Sequence, residues 1–214
     1  MIDLDRFSTS DGIEYKRNRY GGITQINPKP FVYDKEYNKT YDTEEYKNGS
    51  NRLCAIRWEL ITSVVDNPKK VLDFGFGNGA FLDHIADKTK AFGYDVASGY
   101  ESDKWKRVEK VGASYDVVCF WDSLEHCKNI SFVKHLKAKH IAISLPWLWC
   151  ETVEQFNHFK HRKPDEHIHH FDVNSLINFF EGCGYELKKV SFAEDEVRNA
   201  GNRKNILSAM FKKK

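Results

Sequence analysis

Two aspartates stand 22 residues apart, and each closes a short apolar run: Asp73 after Val71-Leu72, and Asp95 after Ala91 to Tyr94. Behind the first come Gly75, Gly77 and Gly79, then Phe81, Leu82, Ile85 and Ala86 at helical spacing. The pattern reads as strand, tight turn, helix. Glycine suits such a turn because it accepts positive φ and lets a ligand approach the backbone. The first helical N–H groups then face the space above the strand. Asp95 lies at the distance expected for a carboxylate that holds ribose hydroxyls. A third set of candidates is His126, His167, His169 and His170, because imidazole moves a proton near neutral pH.

The charges around the turn narrow the ligand. Gly75, Gly77 and Ala80 fit the dinucleotide spacing G-x-G-x-x-G/A. Yet no Lys or Arg occurs from Val71 to Asp87, while Asp73, Asp83 and Asp87 do. A pyrophosphate would meet a like charge. No Gly-Lys-Ser/Thr follows, so a P-loop is excluded. S-adenosylmethionine (SAM) carries a sulfonium and an ammonium and no phosphate, so an acidic glycine turn suits it. The run Asp73-x-Gly75-x-Gly77-x-Gly79 resembles motif I of the class I SAM-dependent methyltransferases. Tyr115-Asp116-Val117-Val118, continuing to Asp122-Ser123-Leu124-Glu125-His126, resembles their motif IV region, most closely in the branch of the ubiquinone-biosynthesis O-methyltransferases. The resemblance spans roughly residues 50 to 212.

It implies an α/β fold: a Rossmann-like, mostly parallel sheet that finishes in an antiparallel hairpin. It also implies SAM as cofactor. Asp73, Gly75, Gly77, Asn78 and Gly79 would hold the methionine half, Asp95 and Val96 the ribose. Trp121 and Asp122 would border adenine and sulfonium.

Composition agrees with a single such domain. The chain has 214 residues, 41% of them hydrophobic, and 33 basic against 31 acidic residues give a net charge of +2. No strong electrostatic pull toward nucleic acid follows. Five scattered cysteines without a C-x-x-C pair suit reduced thiols in a cytoplasmic protein. No signal peptide and no bilayer-spanning run is expected.

The elements that must position these residues follow in order. Residues 1 to 49 read as an irregular arm. Tyr33, Tyr37 and Tyr41 recur every four residues, as on one face of a helical lid, and Tyr37 and Tyr41 are expected to contact the acceptor. The methyltransferase domain is placed at 50–214. Ser50 or Asn51 would cap a helix carrying Leu53, Ile56, Leu60, Ile61 and Val64. The polar interval from Val96 to Ser114 is too short for a complete helix–strand–helix passage, so one outer βα unit should be reduced. Its basic cluster around Trp105 reads as a solvated face. Strands are expected at Tyr115–Trp121 and His140–Leu145, a helix after Asp172, and a final hairpin at Tyr185–Ala193 and Asn205–Phe211.

An irregular stretch from Pro146 to Asp172 carries Trp147, Trp149 and the histidines. Trp147, Trp149, His167 and His170 are candidate acceptor contacts, and His126 the candidate base. Asp165 to Asp172 has the residue types of a metal site, but such histidine segments occur in this branch without metal, and none is expected. The reading is a SAM-dependent methyltransferase acting on a small-molecule acceptor, at oxygen, with nucleic acid and membrane not expected as partners. Two alternatives stay open: a methyltransferase for nitrogen or carbon of a macromolecule, and a SAM-binding pseudo-enzyme partner protein.

Overall fold

The computed structural model describes residues 5–33, 44–198 and 204–214. At its centre is a seven-stranded sheet. The helix α1 (Glu44–Thr62) leads into β4 (Lys70–Phe74), α2 (Ala80–Ile85) and β5 (Lys90–Tyr94). Then come β6 (Lys106–Arg107), β7 (Tyr115–Trp121), β8 (Ala138–Pro146) and α3 (Val153–Asn157). The C-terminal part adds β9 (His169–His170), α4 (Val173–Gly182), β10 (Tyr185–Ser191) and β11 (Ile206–Lys213). The sheet order is β10-β11-β8-β7-β4-β5-β6, parallel from β8 to β6, with β11 antiparallel to both β8 and β10. From β4 the chain moves outward to β5 and returns to β7 on the other side. That reversal opens a crevice at the carboxyl ends of β4 and β7, where open α/β sheets bind ligands.

Strand alternation builds the two covering layers. Leu72, Val118, Phe120, Ile141 and Ile143 face α4, packing with Leu176, Phe179 and Phe180. Val71, Val117, Cys119 and Trp121 face the opposite layer, with Leu60 and Ile61 of α1 and Phe81, Leu82 and Ile85 of α2. Asp73, two residues after Val71, shares the α1 face. The helix α4 starts where expected: the Asp172 carboxylate accepts from the Ser175 amide, and the Ser175 hydroxyl completes a capping box.

The reduced outer unit is as expected. Between β5 and β7 the described structure holds only the two-residue β6. Its basic cluster is solvated at Lys104, Lys106 and Lys110, which are exposed, and anchored at its centre. Trp105 is buried against Phe76, and Arg107 donates to the Ser98 and Asp95 carbonyls.

The N-terminal arm is the main correction. It is not irregular: β1 (Arg6–Ser8), β2 (Glu14–Arg17) and β3 (Ile23–Gln25) form an antiparallel sheet completed by β9, with Ile23 paired to His170 and Thr24 to His169. Phe7, Tyr15, Ile23, Phe156 and Phe159 form a separate small core beneath it. A partner strand more than a hundred residues away leaves no local trace in the sequence. The helix α1 begins at Glu44, so Ser50 and Asn51 lie within it and not at its N-terminus, and a boundary at residue 50 falls inside a helix. Tyr37, Tyr41 and the loop at Asn199–Asn202 lie outside the described residues. Among the described residues no helix is long and apolar enough to cross a membrane.

Candidate active site

The glycine turn between β4 and α2 uses positive φ at each of its three glycines: 80° at Gly75, 56° at Gly77 and 75° at Gly79. Two are also pressed by neighbours. A Cβ on Gly75 would lie 2.7 Å from Ser123 Cβ, and one on Gly79 would lie 2.8 Å from the Tyr100 ring. The Gly75 contact joins the turn to the segment after β7, three residues before His126.

Asp73 is 3% exposed, and its Oδ1 has no hydrogen-bond partner. Burial raises its pKa to about 7, with Arg57 pulling it down and Asp95 pushing it up. A buried acceptor left open beside the turn is what an ammonium group would satisfy. The set therefore fits the methionine end of SAM. Asp95 is more engaged than expected. Its Oδ2 accepts from the Gly77 amide at 2.9 Å, and its Oδ1 from the Ala97 and Ser98 amides at 2.8 Å each. A carboxylate offers about four lone-pair sites, so about one remains for a ribose hydroxyl. Val96 beside it is 81% exposed. Asn78 accepts from the Ala80 amide and so shapes the turn's exit.

The strand-end pair behaves differently from the expectation. Trp121 is buried against Phe81, with the Arg57 guanidinium 5.0 Å from its ring, so its side chain packs inside the sheet layer. Asp122 has φ of 50° and gives its carboxylate to two guanidiniums, Arg57 at 2.8 Å and Arg198 at 3.0 Å. These ion pairs outweigh burial and hold its pKa far below the usual range. Arg57 and Arg198 also pair with the buried Glu194, at 3.0 Å each. Arg57, Arg198 and Glu194 went unread in the sequence, because no spacing links α1 to the segment before β11.

The histidines divide. His126 lies in a 3₁₀ turn after β7 (Leu124–His126), with its Nδ1 2.9 Å from the Tyr33 hydroxyl and its ring 4.7 Å from that of His167. Burial lowers the His126 pKa to about 4. An imidazole held this low is neutral at neutral pH. His167 holds the His161 carbonyl at 2.9 Å through Nδ1, and burial followed by His126 lowers its pKa to about 3. His169 is committed to Thr24 Oγ1 and the Cys127 carbonyl. His170 sits among Tyr15, Phe156 and Phe159 in the small core. It is a packing residue there, and the reading of it as an acceptor contact does not fit. Trp147 packs edge-on against Phe192, and Trp149 against Phe159.

A switch-point crevice with an acidic glycine turn defines a nucleoside-cofactor fold whose ligand bears positive charge. A family profile described as a methyltransferase domain matches residues 47–190. The chain belongs to that family, as an enzyme whose cofactor is SAM. Solved structures share the fold at low identity. The 1,6-didemethyltoxoflavin-N1-methyltransferase of Burkholderia thailandensis, with bound 1,6-didemethyltoxoflavin and S-adenosylhomocysteine, is 14% identical with a TM-score of 0.58. The match covers 90% of this chain and 95% of that one. The magnesium protoporphyrin IX methyltransferase of Synechocystis PCC 6803, with bound S-adenosylhomocysteine, is 12% identical with a TM-score of 0.57, covering 83% and 93%. A SAM-dependent methyltransferase of Methanosarcina mazei is 15% identical with a TM-score of 0.52, covering 72% and 96%. No curated protein matches the chain.

Proposed function

We propose that this methyltransferase acts on a hydroxyl oxygen of a small-molecule acceptor, which enters beside His126. SAM supplies an electrophilic methyl group: the acceptor's lone pair forms the new bond to carbon, and the carbon–sulfur pair stays on sulfur as a neutral thioether. The chain's task is positioning and management of the acceptor's proton. Asp73 and the glycine turn hold the cofactor's amino-acid end. Asp95 stiffens the turn through Gly77 and offers its remaining lone pair to the ribose. Neutral His126, held by Tyr33, accepts the hydrogen bond of the acceptor hydroxyl, aims its oxygen, and takes the proton released as the O–C bond forms, passing it on to solvent.

One observation carries this reading. Ser123 touches the glycine turn, and the Tyr33–His126–His167 group follows it directly, so imidazoles and the cofactor turn share one crevice. Tyr33 and the rings of His126 and His167 form one aromatic and imidazole group beside the turn, and aromatic lining of this kind suits a small acceptor. Trp147 and Trp149 pack on Phe192 and Phe159 and do not carry this reading. Two of the similar folds belong to enzymes named for small molecules, 1,6-didemethyltoxoflavin and magnesium protoporphyrin IX.

The test is transfer from methyl-labelled SAM into a cell extract that has been separated by size. Label in the low-mass fraction supports the reading. Label confined to protein or nucleic acid favours a macromolecular acceptor, and no transfer despite SAM binding favours a pseudo-enzyme. His126→Ala should lower turnover and leave SAM affinity unchanged.

A further inference from the structure

We propose that Glu125, His126 and His167 form a binding site for a first-row divalent cation, of the type that takes two imidazoles and one carboxylate. One ligand atom from each residue lies within 4.8 Å of the other two. His126 Nε2 and Glu125 Oε1 are 3.9 Å apart. Two ligands of a tetrahedral cation, each about 2.1 Å from it, stand roughly 3.4 Å apart, so small rotamer shifts close the set.

A second observation points to the cation independently. Glu125 is 1% exposed, and neither of its carboxylate oxygens has a hydrogen-bond partner. Burying an unpartnered carboxylate is costly, and a bound cation removes that cost. Both imidazoles are also held as ligands are held. His167 Nδ1 donates to the His161 carbonyl, which leaves Nε2 with its lone pair. His126 Nδ1 faces the Tyr33 hydroxyl, and its Nε2 lies on the Glu125 side of the ring. Metal-binding histidines are oriented in this way through the nitrogen that does not coordinate. The backbone fixes the third partner, because the Glu125 carbonyl accepts from the Ile168 amide at 2.9 Å, next to His167.

Two imidazoles disfavour magnesium and calcium, which prefer oxygen ligands, and suit zinc or manganese. Three protein ligands leave a coordination position open. The inference rests on the proposed acceptor site, where that position belongs to the acceptor oxygen. A hydroxyl bound to such a cation would give up its proton to solvent near neutral pH. With the cation bound, His126 would hold the metal in place of the hydrogen bond to the acceptor hydroxyl, and the site departs from the sequence expectation of no metal.

The test uses the full chain, stripped of metal with a chelator. Calorimetric titration with zinc chloride should show one site with micromolar or tighter affinity, and magnesium chloride should bind at least 100-fold more weakly. Glu125→Gln and His167→Ala should each weaken zinc binding at least tenfold. SAM binding by Glu125→Gln at wild-type affinity would show that the variant is folded. Cobalt substitution should give visible bands without thiolate charge transfer, and Cys127→Ser should bind as the wild type does. Wild-type protein that binds no zinc, or variants that bind it equally well, would overturn the site. SAM binding and chelator-insensitive methyl transfer by a zinc-free protein would overturn it while leaving the methyltransferase reading intact. Zinc bound at the triad without methyl transfer to any small molecule would leave the site standing and defeat the acceptor reading.

Discussion

The Tyr33 hydroxyl lies 2.9 Å from His126 Nδ1, so the N-terminal segment reaches across to the turn that ends β7. Burial is the main cause of the raised Tyr33 pKa, and the phenol stays protonated at neutral pH. Tyr33→Phe removes that partner and keeps the ring. A hydrogen bond of this kind contributes about 1 kcal/mol, so turnover should fall about 5- to 10-fold with SAM affinity unchanged. Steady-state kinetics beside a calorimetric SAM titration checks it, and equal turnover would make Tyr33 a packing residue.

The Asp122–Arg57–Glu194 group, with Arg198, is nearly enclosed; the Arg57 and Glu194 side chains are 10% and 1% exposed. Removing one member leaves a buried charge without its partner. Arg57→Ala should therefore destabilise the fold by about 3–5 kcal/mol, read by urea denaturation. Adding Glu194→Gln should restore part of that loss. A loss below about 1 kcal/mol for the single variant would show that water replaces the guanidinium.

Asp95 ties the glycine turn to the loop after β5 through the Gly77, Ala97 and Ser98 amides. Asp95→Ala should weaken SAM binding tenfold or more, since charge-assisted hydrogen bonds contribute roughly 1.5–3 kcal/mol. The thermal transition should remain cooperative. Unchanged SAM affinity by calorimetry would remove Asp95 from the cofactor site.

Asp73 makes stability depend on pH in an unusual direction. Burial raises its folded pKa to about 7, from the 3.8 of a free side chain. The folded state thus binds the proton more tightly than the unfolded state, and this group's contribution to stability grows as pH falls from 7 toward 4. Asp73→Asn should be more stable than the wild type at pH 8, by up to about 4 kcal/mol, with the gap closing near pH 4. Denaturation at both values measures it. Binding of SAM's ammonium should pull the Asp73 pKa down and release a proton, seen as buffer-dependent heat. A gap that is the same at both values would show Asp73 ionised throughout.

Short-range chemistry is what the sequence determined by itself. The glycine turn, the acids that close β4 and β5, the Asp172 cap and the reduced β6 edge depend on neighbours in the chain, through positive φ, strand period and the length a crossover needs. Tertiary structure decided everything that depends on partners far apart. The meander β1–β3 gains its fourth strand, β9, from far along the chain. His126, His167, His169 and His170 look alike in sequence, yet folding gave one a tyrosine and a carboxylate, one a backbone carbonyl beside it, one a threonine, and one an aromatic core. Arg57 and Arg198 are ordinary surface types until Glu194 is buried against them and Asp122 is held between their guanidiniums. Burial sets which of these groups can hold charge, because desolvation is a property of the whole packed chain and of no single stretch of it.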